Sequence, residues 1–170
     1  MIELVPLEKK FLDIVTKWNY DPEVSLYFSK RAPQSRDQQL LWLHNTLKDS
    51  SKKKFIIIHQ VSKNPVGMVS LMKINLTEKQ AEFGITIGEK TYWGTGVAGA
   101  ASNMLMHYAF QVMTLQRLYL NVFENNSRAI HFFSGLGFEK TGASKIDSDG
   151  NVVVEMQLFL SNFLQNHTQP

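Results

Sequence analysis

Apolar positions in this chain repeat at two periods, and the switches between them mark its elements. Alternating or continuous apolar runs at Ile2 to Leu7, Phe55 to Val61, Val66 to Ile74, Ala81 to Gly88, Arg117 to Phe123 and Val152 to Leu160 predict strands. Helical spacing recurs between them. Phe11, Leu12, Ile14, Val15 and Trp18 predict a first helix, broken by Asn19-Tyr20-Asp21-Pro22. Ser35 stands as the cap of a second, with Leu40, Leu41, Leu43 and Leu47 as its stripe. A third runs from Val97 to Val112, with Ala101, Leu105, Tyr108, Ala109 and Val112 on the inner side, and a fourth from Asn126 to Leu136, closed by Gly137. Lys63-Asn64-Pro65 turns one strand back on the next, with Gly67 as a candidate bulge. Ser50 to Lys54 is expected to be a solvated basic loop, and Asn166 to Pro170 a frayed tail. The order of elements predicts a mixed α/β domain.

One junction carries candidate chemistry. The strand Ala81 to Gly88 leads into Tyr92-Trp93-Gly94-Thr95-Gly96-Val97-Ala98-Gly99-Ala100-Ala101, so that strand, glycine loop and helix follow one another. Backbone N–H groups of such a loop and the positive end of the helix dipole converge on one spot, which suits an anionic group such as a phosphate. A tight turn with no ligand is the alternative for a Gly-x-Gly of this kind.

Composition narrows the remaining choices. With 170 residues, 44% of them hydrophobic, one core and a single domain over 1–170 are expected. Eighteen basic and 15 acidic residues give +3 and a pI near 9.1, spread along the chain rather than massed. That balance favours a small anionic ligand over nucleic acid. There is no cysteine, which rules out disulfides and thiolate chemistry, and His44, His59, His107, His131 and His167 form no close ligand pair, so no metal is expected. The amino terminus lacks a signal-peptide pattern and no run approaches the roughly 18 apolar residues of a membrane span. A cytoplasmic protein without membrane partners, monomeric or homodimeric, is the expectation.

Two separated motifs resemble those of the GNAT superfamily of acetyl-CoA-dependent N-acetyltransferases. Trp93-Gly94-Thr95-Gly96-Val97-Ala98 is similar to that family's phosphate loop, with Trp93 where Gln or Arg is usual, and Asn126 to Phe138 is similar to its Asn-x-x-Ala helix closing in Gly-Phe. The resemblance covers nearly the whole chain. It implies a mixed, mostly antiparallel sheet flanked by helices, with a splayed parallel pair, the Glu82 strand and the Arg117 to Phe123 strand, holding acetyl-CoA. Backbone groups near Phe83, Ile85 and Ile87 would pair with the pantetheine arm, and the N–H near Ile85 would polarise the thioester carbonyl. Gly94, Gly96, Val97, Ala98 and Gly99 would cradle the pyrophosphate. Asn126 would bond the arm from the other side, and Arg128 would meet a CoA phosphate.

By the same resemblance Glu82 is the candidate general base, acting through water, with pairing to a surface lysine as the plain alternative. Phe133 stands where many relatives carry a tyrosine that protonates the leaving sulfur, and a phenyl ring cannot donate that proton. Tyr92, Tyr119 and Ser134 are possible substitutes. For the acceptor, the amino-terminal half looks most like the amino-sugar N-acetyltransferase of pseudaminic-acid synthesis, with a UDP-linked 4-amino sugar for which Lys30 and Arg31 offer charge. An alanine-terminal ribosomal protein acetyltransferase, a polyamine acetyltransferase and a catalytically weak CoA-binding regulator are the alternatives.

Overall fold

Seven strands order as β1-β2-β3-β4-β5-β7-β6 in a mostly antiparallel sheet with β4 and β5 parallel, flanked by helices. In this computed structural model, residues 1–28 and 35–167 are described. The strands are β1 (Ile2–Pro6), β2 (Lys53–His59), β3 (Pro65–Asn75), β4 (Gln80–Ile87), β5 (Arg117–Phe123), β6 (Glu139–Ile146) and β7 (Val152–Phe159). The helices are α1 (Leu12–Tyr20), α2 (Arg36–Lys48), α3 (Val97–His107), α4 (Ser127–Gly135) and α5 (Leu160–His167). None of the described helices is long and apolar enough to cross a membrane. The chain falls into two compact units, Met1–Met72 with Gly84–Leu105, and Lys73–Phe83 with the segment from Met106 onward.

In the first unit β1 pairs with β2 and β2 with β3, both antiparallel. Its core gathers Leu7, Leu12, Val15, Trp18, Leu43, Ile56 and Ile58. A bulge does form beside Gly67: Ile57 faces Gly67 while Ile58 faces Pro65, which leaves Val66 as the extra residue. Gly67 is fixed by contact, since a Cβ there would lie 2.4 Å from the Thr86 carbonyl oxygen. Ser35 caps α2 through a reciprocal capping box with Gln38. The stripe of α2 differs from the expected one: Leu43 and Thr46 are buried, while Leu41 and Leu47 stand exposed. The first helix runs on through Asn19 and Tyr20, and Asp21 ends it.

The basic stretch before β2 is only partly a loop. Lys53 and Lys54 already belong to the strand, and Lys54 is half-buried with Nζ 3.9 Å from Met72 Sδ. Loss of hydration, with a smaller contribution from Lys52, lowers its ammonium to a pKa of about 8.

In the second unit β5 pairs along its whole length with β7, and β6 flanks β7. Leu118, Leu120, Met156 and Leu158 are buried along the strands, and Phe163 of α5 is fully buried against His107 and Phe110. Three expectations change here. The α3 pattern passes into a π turn over Tyr108–Val112, whose wider coil rotates the following residues, so Val112 is 67% exposed rather than inward. The last strand stops at Phe159, since Leu160 opens α5. Asn166 and His167, expected in a frayed tail, are helical, and residues 168–170 lie outside the described residues.

Candidate active site

The glycine loop of the first unit is built by backbone geometry. Gly94 and Gly96 have φ of +75° and +86°, a region costly for residues with a Cβ. Nothing lies within 4 Å of where a Cβ would stand on Gly94, Gly96 or Gly99, so the face of the loop is open. Thr95 pins the turn by donating both its N–H and its hydroxyl to the Tyr92 carbonyl, at 3.4 and 2.7 Å. The Gly96 carbonyl accepts from Ala100 N–H at 3.0 Å, the first bond of α3. The N–H groups of Val97, Ala98 and Gly99 precede that bond and have no acceptor inside the helix. Unpaired helix-start donors, an open face and the helix dipole together are an arrangement suited to an anion.

Trp93 has a local reason to be there. Its indole N–H donates to the Ile87 carbonyl at 2.9 Å, tying the loop back to the end of β4. The Ile87 carbonyl, at the end of the strand whose backbone the resemblance directs to the pantetheine arm, thus already carries one hydrogen bond within the protein. Just beyond β4, Trp18 lies flat on Gly88, where a Cβ would be 2.1 Å from its ring, and donates its indole N–H to Glu89 at 2.9 Å. That bond, helped by Lys17, holds the Glu89 carboxyl below its ordinary range. Tyr92, one possible proton donor, has its hydroxyl 3.2 Å from His59 Nδ1 and 3.4 Å from the Ser62 hydroxyl.

The second unit holds the carboxylate. β4 and β5 register in parallel over Gln80↔Arg117, Ala81↔Leu118 and Glu82↔Tyr119, so Glu82 and Tyr119 stand side by side on one face. The Glu82 side chain is only 14% exposed. Lys73 Nζ lies 2.6 Å from its Oε2, and Asn121 Nδ2 donates to its Oε1 over a long 3.4 Å. The lysine contact is a close ion pair: its hydrogen bond to Glu82 outweighs the loss of hydration and raises the Lys73 ammonium, while Oε2 is shut off from solvent. Burial, then the charge of Glu82, raises the Tyr119 phenol, so it is a neutral hydroxyl at ordinary pH. The pairing with a lysine foreseen for Glu82 is therefore real, yet the carboxylate is not a solvated strand end.

Tyr119 is held by Arg117, whose guanidinium lies 4.9 Å from its ring centroid. Arg117 itself donates to Gln157, Gln80 and Glu155 at 2.8, 2.9 and 2.8 Å, clasping β4, β5 and β7. Lys73, Asn121 and Arg117 were not singled out for these roles from the sequence. The period-two spacing of Arg117, Tyr119 and Asn121 along β5 was the available signal for the last two.

On the other face of β4, Phe83 packs against the end of α4. Phe133 meets Phe83 edge-on at 6.3 Å and Phe138 at 5.8 Å, and is nearly buried. Asn126 caps α4 by accepting from Ala129 N–H at 3.1 Å, which commits its amide oxygen and leaves the amide nitrogen to donate. Arg128 and Ser134 lie exposed on the same helix. Ile85 lies midway along β4 and is half-buried. Lys30 and Arg31, proposed for the acceptor, lie outside the described residues.

A glycine loop opening a helix and, separately, a sequestered carboxylate on a parallel strand pair are the kinds of feature that acyl-group transfer needs. The chain belongs to the GNAT family: the family model described as Acetyltransferase (GNAT) domain matches residues 2–139. It is an acetyl-CoA-dependent N-acetyltransferase. It is 30% identical to the spermidine N(1)-acetyltransferase of Escherichia coli (strain K12), over 99% of this chain and 91% of that one. It is 25% identical to the acetyltransferase PseH of Campylobacter jejuni, over 75% and 76% of the two chains. Among solved structures, the spermidine N-acetyltransferase from Vibrio cholerae in complex with CoA and spermine superposes with a TM-score of 0.86 at 26% identity, covering 96% of this chain and 98% of that one.

Proposed function

We propose that this chain, acting as one N-acetyltransferase domain, moves the acetyl group of acetyl-CoA to a primary amine of an aliphatic polyamine. The observation that carries the reading is the sequestered Glu82 carboxylate, whose Oε2 already faces one ammonium, that of Lys73, at 2.6 Å, an anionic site suited to an acceptor ammonium or to the water that deprotonates it. The similarity to spermidine acetyltransferases along nearly the full chain supports the polyamine over the nucleotide sugar. The nucleotide-sugar reading keeps the more distant similarity to PseH, and the ribosomal-protein reading has no comparable support.

In this reading Gly94, Gly96, Val97, Ala98 and Gly99 bind the pyrophosphate through backbone N–H groups, and Arg128 adds charge toward a phosphate. Backbone groups of Phe83, Ile85 and Ile87 and the Asn126 amide align the pantetheine arm, while Phe133 serves as an apolar wall. Bound acetyl-CoA supplies an activated acyl group and a thiolate leaving group. Glu82 takes the ammonium proton, which frees the nitrogen lone pair for attack. A thiol of pKa about 8.5 leaves without an obligatory acid near neutral pH, so phenylalanine at 133 is compatible with turnover. The test is acetyl-CoA consumption with spermidine, spermine, a UDP-linked 4-amino sugar and an alanine-terminated peptide. Turnover of the polyamines at the highest kcat/KM is expected, and preference for either of the other two would replace this reading.

A further inference from the structure

Lys73 stands inside β3, not at its turn, with φ of +49°. A lysine in the left-handed region of a strand is strained, and such irregularities re-aim a side chain. Here the side chain is delivered to Glu82, with Nζ 2.6 Å from Oε2. The two partners are unequal. The Lys73 side chain is 66% exposed, so its ammonium can leave for water at little cost, whereas the Glu82 side chain is 14% exposed and cannot rehydrate in place. Its remaining bond, from Asn121, is long. A carboxylate so placed will release one cation only in exchange for another, and a primary amine is almost wholly ammonium near neutral pH.

We propose that Lys73 is the resident counter-ion of Glu82, that it holds the position the acceptor ammonium must take, and that it thereby selects among acceptors by charge. This rests on Glu82 receiving the acceptor amine. Once displaced, the Lys73 ammonium remains tethered nearby and repels further positive charge, so it lowers the affinity for polycations more than for monoamines without reversing the preference for the polyamine.

The test is acceptor binding to the CoA complex by calorimetry, for Lys73→Gln and Lys73→Gly, with spermidine and n-butylamine as probes. Glutamine keeps the strained backbone and glycine relieves it, so an effect shared by both belongs to the lost ammonium. Spermidine binding is expected to tighten about tenfold in both, butylamine less. With an active acceptor, KM for spermidine should fall in step with the binding constant, and KM for n-butylamine less. On a Glu82→Gln background the gain should vanish, because nothing is left to compete for. Unchanged or weaker spermidine binding, a gain in the glycine variant alone, or a gain that persists without Glu82 overturns the proposal. A wild-type protein that binds spermidine but acetylates no polyamine would sink the polyamine acetyltransferase reading alone, since the binding comparison does not use turnover.

Discussion

Phe133 and Phe138 meet at 5.8 Å across the turn that ends α4, and the same two residues share a backbone bond, Phe138 N–H to the Phe133 carbonyl at 3.0 Å. With Gly137 at φ +93° donating to Ser134, this is a Schellman ending whose accompanying hydrophobic contact is the ring pair itself. Phe133 is thus explained by packing before any catalytic role is considered. In Phe133→Tyr a hydroxyl is added to a nearly buried ring that packs on Phe83 and Phe138, and desolvating it without a partner costs about 1–3 kcal/mol. A melting temperature about 2–12 °C lower is expected, with turnover equal to or below that of the parent. Thermal melts and steady-state rates check it. A large gain in turnover would show instead that thiolate departure waits for a proton donor.

The glycine loop predicts a charge effect separable from backbone strain. Gly96→Ala and Gly96→Glu share the penalty of a Cβ at φ +86°, and the surrounding space is open to both. Only the glutamate brings negative charge to the site assigned to the pyrophosphate. CoA affinity by calorimetry is expected to fall severalfold with alanine and about 100-fold or more with glutamate. Equal losses would mean that strain, not phosphate binding, governs the loop.

Lys54 predicts a pH dependence of stability. Its pKa is about 8 in the fold against an ordinary value of 10.5, because burial disfavours the charged form. Between those values the unfolded chain holds a proton that the folded chain has released, so stability rises as pH rises from about 8 to 10.5. Below pH 8 both states are protonated and the burial penalty is present in full. That penalty is at most about 3 kcal/mol, reduced by the partial exposure of the site. Lys54→Met should raise the melting temperature at pH 7 and flatten this contribution in melts run from pH 7 to 10.5. A variant that melts lower than the parent at pH 7 would refute the burial cost.

Much of this was legible locally. The capping box at Ser35, the Asn126 cap and the Gly137 ending each depend on a few adjacent residues, whereas the bulge beside Gly67 is signalled by the glycine but fixed by contact with Thr86 across the sheet. β6 was not legible as a placed strand: Glu139 to Ile146 is almost wholly exposed at the sheet edge and carries no apolar alternation to read. The run Leu158-Phe159-Leu160 hides the passage from β7 to α5, and only burial of Phe163 at helical spacing reveals it. In the site, glycines announced the loop, while Glu82 came from resemblance. Its union with Lys73 depends on a left-handed backbone at a lysine, which no residue pattern signals.

Glu82 carries the last prediction. If it accepts the ammonium proton, its removal costs most where nearly all acceptor is protonated and least where free amine is abundant. An aliphatic amine with a pKa of about 10.4 is free in roughly one part per thousand at pH 7.5 and in about a tenth at pH 9.5. General-base help of about 10²-fold is therefore expected to be lost in Glu82→Gln at pH 7.5, with a deficit under about tenfold at pH 9.5. The pairing with Lys73 sharpens the control, because glutamine leaves that ammonium without its counter-ion and loosens the strained segment as well. The double variant Glu82→Gln with Lys73→Gly removes both, and its pH profile should keep the same slope as the single variant. A deficit of equal size at every pH in both proteins would assign Glu82 to holding the acceptor rather than to moving its proton.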